Sequence, residues 1–175
     1  KVLPGRGPGP CLMGATIRDM TQDDAEWFLP LNNSEVPHVN ALDADDLAAL
    51  LAEASLARVA QVDDQPAAGL IVFSPGAAYG SANYAWYQQR YDGFVYIDRV
   101  VTGPAFRGQG LARRFYDEAW AMAAEQDVML CCEVNEEPPN PGSMRFHERF
   151  GFEPVGGQQT EGGKKTVVLL ARMPE

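Results

Sequence analysis

The residues best suited to chemistry follow the longest predicted strand, Phe94–Thr102. After it, the stretch Arg107-Gly108-Gln109-Gly110-Leu111-Ala112 leads into an amphipathic helix that we predict over Gly108–Gln126. Free N–H groups at a helix start attract anions, glycine lets a phosphate approach the backbone, and arginine can add a bidentate contact. The pattern favours a pyrophosphate cradle, with a plain strand-to-helix turn as the alternative. It has neither the Lys-Ser/Thr of a Walker loop nor the GxGxxG of a dinucleotide fingerprint.

The three cysteines and two histidines form no recognisable metal or disulfide pattern. Cys131 and Cys132 are adjacent, and adjacent residues on a strand point to opposite faces, so they are poor disulfide partners. No CxxC spacing occurs, and we therefore predict no metal site. Because no histidine can be placed beside these cysteines, we expect buried strand packing rather than a thiol nucleophile, in a reduced, cytoplasmic protein.

The order of predicted elements supplies the scaffold for these residues. It reads β α α β β β α β α β β, which indicates a mixed α/β (α+β) domain around one central sheet. We expect the first helix to end at Pro30, residues 31–40 to form a loop, and Ser74–Gly93 to be a long loop. A Gly/Pro-rich leader, residues 1–13, precedes the domain, which we place at residues 14–175, and Met13 would suit a start.

The acidic side chains are concentrated in one quarter of the chain. The 175 residues carry 24 acids and 14 bases, a net charge of −10, and the length favours one domain. Eleven of the acids and only one base, Arg58, lie between Asp19 and Asp64. We therefore expect no nucleic-acid partner, and no apolar run is long enough for a membrane span. The acidic segment is either a solvated surface or a wall that faces a cationic ligand.

Two segments resemble the signatures of the GNAT acetyltransferase superfamily. The first is Arg107-x-x-Gly110-x-Ala112 after the strand that ends at Thr102. The second is Asn140-x-x-Ser143-x-x-Phe146-His147-x-x-Phe150-Gly151-Phe152. The element order also fits that family from Ala15 to Arg172. The resemblance implies a central sheet of about six or seven strands with helices on both faces, in which the fourth and fifth strands splay apart.

The resemblance also implies a co-substrate, acetyl-CoA, which this family binds in the gap between the splayed strands. The backbone of Val100, Val101 and Thr102 would then pair with the pantetheine amides. The pyrophosphate would be held by the N–H groups of Arg107, Gly108, Gln109, Gly110, Leu111 and Ala112. Asn140 and Phe146 would border the thiol end. The family usually transfers the acetyl group directly to an amine.

The sequence departs from the family pattern at a position that matters for catalysis. Many members have a tyrosine on the late helix as the acid for the leaving thiolate, whereas this chain has His147. A lone histidine on an apolar helix face is usually a core residue, but an imidazolium with a pKa of about 6.5 can protonate a thiolate whose thiol titrates at about 8.5. For the base that deprotonates the amine, Glu133 is the first candidate and Asp98 the second. Either carboxylate could instead be solvated or paired, and Asp98 has Arg99 and Arg90 as nearby partners.

The acceptor side of the family is built by the first two helices and by the region before the fourth strand. The resemblance therefore implies that five residues contact the acceptor: Asn33, Glu35, His38, Tyr84 and Trp86. Acidic and aromatic side chains together suit a cationic amine through ion pairing and cation–π contact. The aromatic residues could equally pack their own loop or form a homodimer interface.

We therefore expect a cytoplasmic, acetyl-CoA-dependent N-acetyltransferase that acts on a small-molecule or peptide amine without a metal. One rival is a catalytically weak GNAT domain that binds acyl-CoA as a sensor, which the missing tyrosine keeps open. A second rival is a protein that binds another phosphate ligand with the same glycine turn.

Overall fold

A computed structural model describes residues 14–174, so the predicted leader with Cys11 and Met13 lies outside the described residues. The strands are β1 (Ala15–Asp19), β2 (Leu56–Val62), β3 (Gln65–Phe73), β4 (Phe94–Thr102), β5 (Met129–Glu137), β6 (Glu153–Thr160) and β7 (Lys165–Arg172). The α-helices are α1 (Ala25–Ser34), α2 (Ala44–Glu53), α3 (Ala82–Gln88), α4 (Leu111–Glu125) and α5 (Pro141–Phe150). Single 3₁₀ turns lie at Gln22–Asp24, Pro104–Phe106 and Glu161–Gly163.

The seven strands form one sheet that is open in its middle. They lie in the order β1-β2-β3-β4-β5-β7-β6, and every neighbouring pair is antiparallel except β4 and β5. That parallel pair is hydrogen-bonded only from Phe94 with Met129 to Tyr96 with Cys131, although each strand has nine residues. Beyond Tyr96 the two strands diverge. The predicted mixed sheet with splayed fourth and fifth strands is therefore confirmed.

Each face of the sheet is covered by helices through its own hydrophobic cluster. On one face, α4 and α5 bury Phe115 and Phe150 against the strands. On the other face, α1, α2 and α3 bury Phe28, Leu47 and Tyr87. Helices on both faces leave the widening gap between β4 and β5 as the place where a ligand can enter the sheet.

The two adjacent cysteines divide between these clusters. Cys131 packs in the cluster beneath α1, α2 and α3, and Cys132 packs in the cluster beneath α4 and α5. Both are free and buried, and burial raises the pKa of each thiol, so the predicted strand packing is confirmed. Among residues 14–174, no group of three or more His, Cys, Asp or Glu side chains is placed to hold a metal ion. No described helix combines the length and the apolar character needed to cross a bilayer.

The prediction that the first helix ends at Pro30 is wrong, because α1 continues to Ser34. Pro30 is exposed, so its ring points away from the core. The last turn is anchored by the buried side chain of Asn32, which accepts a hydrogen bond from Arg99 and donates one to the carbonyl oxygen of Asn40. These tertiary contacts offset the backbone hydrogen bond that proline removes.

The predicted long loop Ser74–Gly93 also contains an element that the sequence did not reveal, the short helix α3. Ser81 caps it by accepting from the N–H of Tyr84. The helix buries Tyr84 and Tyr87 against the sheet. The hydroxyl of Tyr87 donates a hydrogen bond that is shared by the carbonyl oxygens of Cys132 and Leu170. Burial of these rings supplies the stability that a seven-residue helix lacks alone.

Candidate active site

Two cavities meet where β4 and β5 diverge. The larger, which we call the main cleft, has a volume of about 550 Å³ and extends toward the first turns of α4 and α5. The smaller, the side cavity, has a volume of about 210 Å³, lies toward α3 and reaches the β6–β7 turn. The two share a wall made of His38, Val39, Asp98, Arg99, Glu133 and Asn135. The two cavities are therefore immediate neighbours at these residues.

The open edge of β4 forms one side of the main cleft. Its opposite edge is occupied by β3, where Gly69 pairs with Val101 and Ala68 with Thr102. Val100, Val101 and Thr102 lie beyond the last β4–β5 pair, and all three line the main cleft. Their backbone groups on the β5 side are thus placed to pair with the amides of an extended ligand.

The start of α4 forms the far end of the main cleft. Gly108 and Gly110 have φ angles of +73° and +83°, the left-handed region in which an L side chain is strained. A side-chain carbon on either glycine would meet no atom within 4 Å, so both positions border open space. Leu111 and Ala112 also line the cleft, and first-turn N–H groups have no acceptor within their own helix. This end therefore fits a phosphate group.

Arg107 at this end is held by a carboxylate. Its Nη2 donates to Oε1 of Glu35, the residue that caps the C-terminus of α1, and its Nε donates to the carbonyl oxygen of Thr102 at 3.3 Å. Glu35 thus lies at the phosphate end of the main cleft and not in the side cavity. An anion that binds at the start of α4 must share Arg107 with Glu35 or displace it.

Of the three remaining residues predicted to bind the co-substrate, two line the main cleft and one does not. Asn140 caps α5 by accepting from the N–H of Ser143, and both Asn140 and Phe146 line the main cleft. Gln109 turns away from it, because its side-chain amide donates to the carbonyl oxygen of Ala105 at 3.2 Å. Only the backbone of Gln109 is left to contribute to the phosphate end.

Glu133 stands on the shared wall with a pKa near neutrality. Burial and then the negative charge of Asp98 raise the pKa of its carboxyl to about 7. The Tyr96 hydroxyl donates to its Oε2 at 2.7 Å, and hydrogen bonding and nearby positive charge limit the rise in pKa. A carboxyl group that titrates near neutral pH is well matched to accept a proton in that range.

Asp98, the second predicted base, is held in a buried ion pair with Arg99, the alternative that the sequence left open. Its Oδ2 accepts from Nε of Arg99 at 2.6 Å, and its Oδ1 accepts from the hydroxyl of Tyr79. The side chains of Asp98 and Arg99 are each only 4% exposed. Protonation of Asp98 would leave the Arg99 charge buried and unpaired, so the geometry favours Glu133 as the base.

His147 is hydrogen-bonded at both ring nitrogens inside the main cleft. Its Nδ1 lies 2.7 Å from the carbonyl oxygen of Ser143, and a carbonyl can only accept, so Nδ1 carries the proton. Its Nε2 lies 2.7 Å from the hydroxyl oxygen of Tyr116, and in the neutral ring this nitrogen can only accept, so the hydroxyl donates to it. Burial lowers the pKa of His147. The ring is therefore neutral at physiological pH, and the expected imidazolium is disfavoured.

The residues predicted for the acceptor do not all reach the cavities. His38 lines both cavities, and Glu35 lines the main cleft. Asn33 instead holds the chain after α1, where its side chain bonds the backbone of Leu42. Tyr84 is buried beneath α3, and the ring of Trp86 packs against the backbone of β6 and under a neighbouring arginine. Neither cavity is lined by these three side chains.

The acidic segment contributes little to the lining of the two cavities. Of its eleven acids, only Glu35 lines a cavity. Asp24 is paired with Arg18 at 2.7 Å, and Asp43 caps α2 by accepting from the N–H of Asp46. The interpretation that fits this part of the chain is a solvated surface with local structural roles.

The family model described as Acetyltransferase (GNAT) family matches residues 18–152. The chain belongs to this acetyltransferase family. A comparison with curated protein sequences finds no match for the GNAT chain. The fold is similar to that of Naa50 from Arabidopsis thaliana in complex with the bisubstrate analogue CoA-Ac-MVNAL, at 15% identity and a TM-score of 0.70, covering 91% of this chain and 99% of that chain.

Two further GNAT structures show the same fold. The ribosomal-protein-S18-alanine N-acetyltransferase from Escherichia coli matches at 15% identity and a TM-score of 0.68, covering 91% of this chain and 93% of that chain. The structure of yncA from Salmonella typhimurium with acetyl-CoA matches at 15% identity and a TM-score of 0.69, covering 93% of this chain and 95% of that chain. At these identities the likeness establishes the fold alone.

GNAT enzymes use acetyl-CoA as co-substrate, and the main cleft of this GNAT chain fits it. The open edge of β4 suits the pantetheine amides, and the start of α4 suits the pyrophosphate. A cleft of about 550 Å³ is within the usual range for a site that holds a cofactor-sized molecule. The predicted family and fold are therefore confirmed, and the residue roles remain predictions.

Several residues of the site were missed by sequence reasoning. Tyr96 was within reach, because it lies two positions before Asp98 and therefore on the same face of β4. Tyr116 gave no local signal, since only the packing of α4 against α5 brings it to His147. Lys165, which lines the side cavity, is likewise placed there by the register of β5 with β7.

Proposed function

We propose that this GNAT chain is an acetyl-CoA-dependent N-acetyltransferase that transfers the acetyl group directly to an amine. The observation that carries the proposal is the junction of the main cleft and the side cavity at Glu133. The thioester would enter through the main cleft and the amine through the side cavity. The two reactants would meet beside Glu133, which lines both cavities and whose pKa is about 7.

Glu133 takes the proton that an ammonium must lose before its nitrogen can attack. Because the pKa of Glu133 is about 7, its carboxylate can accept a proton at neutral pH and then release that proton to solvent. The nitrogen lone pair then forms the C–N bond as the C–S bond breaks. Tyr96 orients the carboxylate through its hydrogen bond to Oε2.

Tyr116 and His147 act as a pair on the departing sulfur. Burial holds the pKa of Tyr116 well above its ordinary value, so its hydroxyl donates a hydrogen bond rather than a proton. As charge develops on sulfur, the hydroxyl turns from Nε2 of His147 toward it. The thiolate, whose thiol titrates at about 8.5, then gains its proton from water.

The direct test measures the release of the CoA thiol when the full chain is incubated with acetyl-CoA and each of a panel of amines. The rate of hydrolysis measured without an amine is subtracted. Binding of acetyl-CoA is measured separately by calorimetry, with ADP and NAD as comparison ligands. Amine-dependent thiol release supports the proposal. Tight binding of acetyl-CoA without any amine-dependent release would instead support the sensor role, and equal binding of ADP would support a general phosphate site.

A further inference from the structure

The side cavity has a roof that limits what can enter it. The segment between α1 and α2, residues 35–43, is fastened to three strands. The carbonyl oxygen of Pro37 accepts from Asn135 on β5 at 3.2 Å, and that of Asn40 accepts from Arg99 on β4 at 3.3 Å. The side-chain oxygen of Asn40 accepts from Lys165 on β7 at 3.3 Å. This roof crosses the gap between β4 and β5 and covers one side of the cavity, which His38, Val39 and Asn40 line.

The side cavity is small and polar. Its volume of about 210 Å³ is less than half the volume of about 550 Å³ of the main cleft. Twelve of its sixteen lining residues carry polar side chains. Those that can bond a ligand include His38, Ser81, Asn83, Asn135 and Thr160. A cavity of this size and polarity suits a free metabolite-sized molecule, whereas a polypeptide acceptor needs an open groove for its following residues.

The two ends of the side cavity carry an acidic and a basic side chain. Glu133 and Lys165 lie on the same face of the sheet, because Glu133 pairs with Leu169 and Lys165 is four residues before Leu169. Four residues of strand span about 13 Å. Glu133 therefore faces the cavity at the junction with the main cleft, and Lys165 faces it from the opposite end, next to the β6–β7 turn.

Lys165 is enclosed but retains the capacity to bind an anion. Its side chain is 11% exposed, and its ammonium contacts Oε1 of Glu161 at 2.9 Å and Oδ1 of Asn40 at 3.3 Å. These contacts use at most two of the three N–H donors of an ammonium. Glu161 is 47% exposed, so solvent screens its hold on Lys165. Arg99 brings a second cation to the same asparagine through the carbonyl oxygen of Asn40.

We propose that the acceptor of this enzyme is a small amino acid-like zwitterion, a primary amine that also carries a carboxylate, and that Lys165 binds the carboxylate. The amine would then lie at Glu133 and the carboxylate at the opposite end of the side cavity. This inference rests on the acetyltransferase function proposed above and narrows its acceptor class. The negative charge of the acidic segment has no part in it, because none of its eleven carboxylates lines the side cavity.

The first experiment compares acceptors with the unmodified full chain. The panel contains the L-amino acids, β-alanine, γ-aminobutyrate and 5-aminovalerate, each beside its amide, its decarboxylated amine and a tripeptide that begins with it. We expect at least one carboxylate-bearing amine to have a kcat/KM tenfold or more above its amide, amine and tripeptide counterparts. Equal or better turnover of the amide or of the tripeptide would overturn the inference.

The second experiment changes the carboxylate site alone. Lys165→Met is expected to raise the KM of the carboxylate-bearing acceptor tenfold or more and to leave the KM of acetyl-CoA unchanged, since Lys165 does not line the main cleft. The matched control is Lys164→Met, a change at an exposed neighbour that lines neither cavity. An unchanged acceptor KM in a folded Lys165→Met protein, as judged by thermal unfolding, contradicts the role of Lys165.

The failure of this inference can be told apart from failure of the proposed function. If amides, simple amines or peptides are acetylated while amino acids are not, the acetyltransferase function stands and the acceptor class is wrong. If no amine is acetylated, both fail, and acetyl-CoA calorimetry then shows whether the main cleft binds the co-substrate at all. The acceptor comparison needs no variant, so it holds even if Lys165→Met does not fold.

Discussion

The hydroxyl oxygen of Tyr116 on α4 lies 2.7 Å from Nε2 of His147 on α5, inside the main cleft. The opposite nitrogen of the ring is committed to the carbonyl oxygen of Ser143 at 2.7 Å. The Ser143 carbonyl places the proton of the neutral ring on Nδ1, so Nε2 accepts from the Tyr116 hydroxyl. In the function proposed above, these two residues on two helices take the role for which many family members use one tyrosine.

The first prediction concerns this pair. Tyr116→Phe is expected to lower kcat about tenfold or more with little change in the KM of acetyl-CoA, because it removes the hydrogen bond to the departing sulfur. If the two residues act as a unit, the double change with His147→Gln should cost little more than the larger single effect. Steady-state kinetics of the two single variants and the double variant give this comparison.

Tyr87→Phe is the control for the general effect of removing a buried tyrosine hydroxyl. The Tyr87 hydroxyl bonds two backbone carbonyl groups, and Tyr87 lines neither cavity. This change should lower the melting temperature and leave kcat of the folded protein nearly unchanged. If Tyr116→Phe behaves in the same way, Tyr116 has only a structural role.

The second prediction concerns Glu133 as the base. Glu133→Gln keeps the shape of the side chain and removes its proton affinity, so kcat should fall by about 10² or more. In the unmodified protein kcat/KM should rise as pH increases through about 7, because the carboxyl must be ionised to accept a proton. Glu133→Gln should lose this rise of kcat/KM with pH. Glu136→Gln, at an exposed position of the same strand, is the matched control, and an intact pH limb in Glu133→Gln would rule out the assignment.

The third prediction is a gain in stability from the same Glu133→Gln change. The folded pKa of Glu133 is raised from 4.5 to about 7, so the folded state binds this proton more tightly than the unfolded state. The contribution to folding is favourable at acid pH and is lost as pH rises through about 7. Glutamine has no charge to bury, so above pH 7 the variant should be more stable by about 3 kcal/mol. Denaturant unfolding should show a much larger difference at pH 8 than at pH 5, where the folded state still keeps the proton, and a difference of equal size at both pH values would contradict the prediction.

The fourth prediction concerns competition for Arg107. Glu35→Gln removes the carboxylate that holds Arg107, and it removes a negative charge near the proposed pyrophosphate. The Kd of acetyl-CoA should therefore fall about two- to fivefold, the effect of an exposed ion pair. Arg107→Gln should raise it about tenfold. Calorimetry at low and at high salt checks both, and a weaker affinity in Glu35→Gln would show that Glu35 supports the site instead.

Most of the fold could be predicted from local pattern. The bounds of β4 match the predicted strand Phe94–Thr102, because its β-branched and aromatic residues favour a strand locally. The continuation of α1 past Pro30 and the helix α3 were missed. Both depend on burial against distant residues, which short-range propensity does not report.

The main cleft was easier to predict than the acceptor side. The amino-acid sequence by itself determined the start of α4, because glycine adopts positive φ without strain and Gly108 and Gly110 both do so just before the helix. Only the tertiary structure decided which charges face the reacting groups. It tied Glu35 to Arg107 and brought Lys165 to the side cavity through contacts between residues far apart in the chain. The conformation of this glycine turn is set by residues next to one another in the chain, whereas the partner of a side chain is set by which distant elements pack against it.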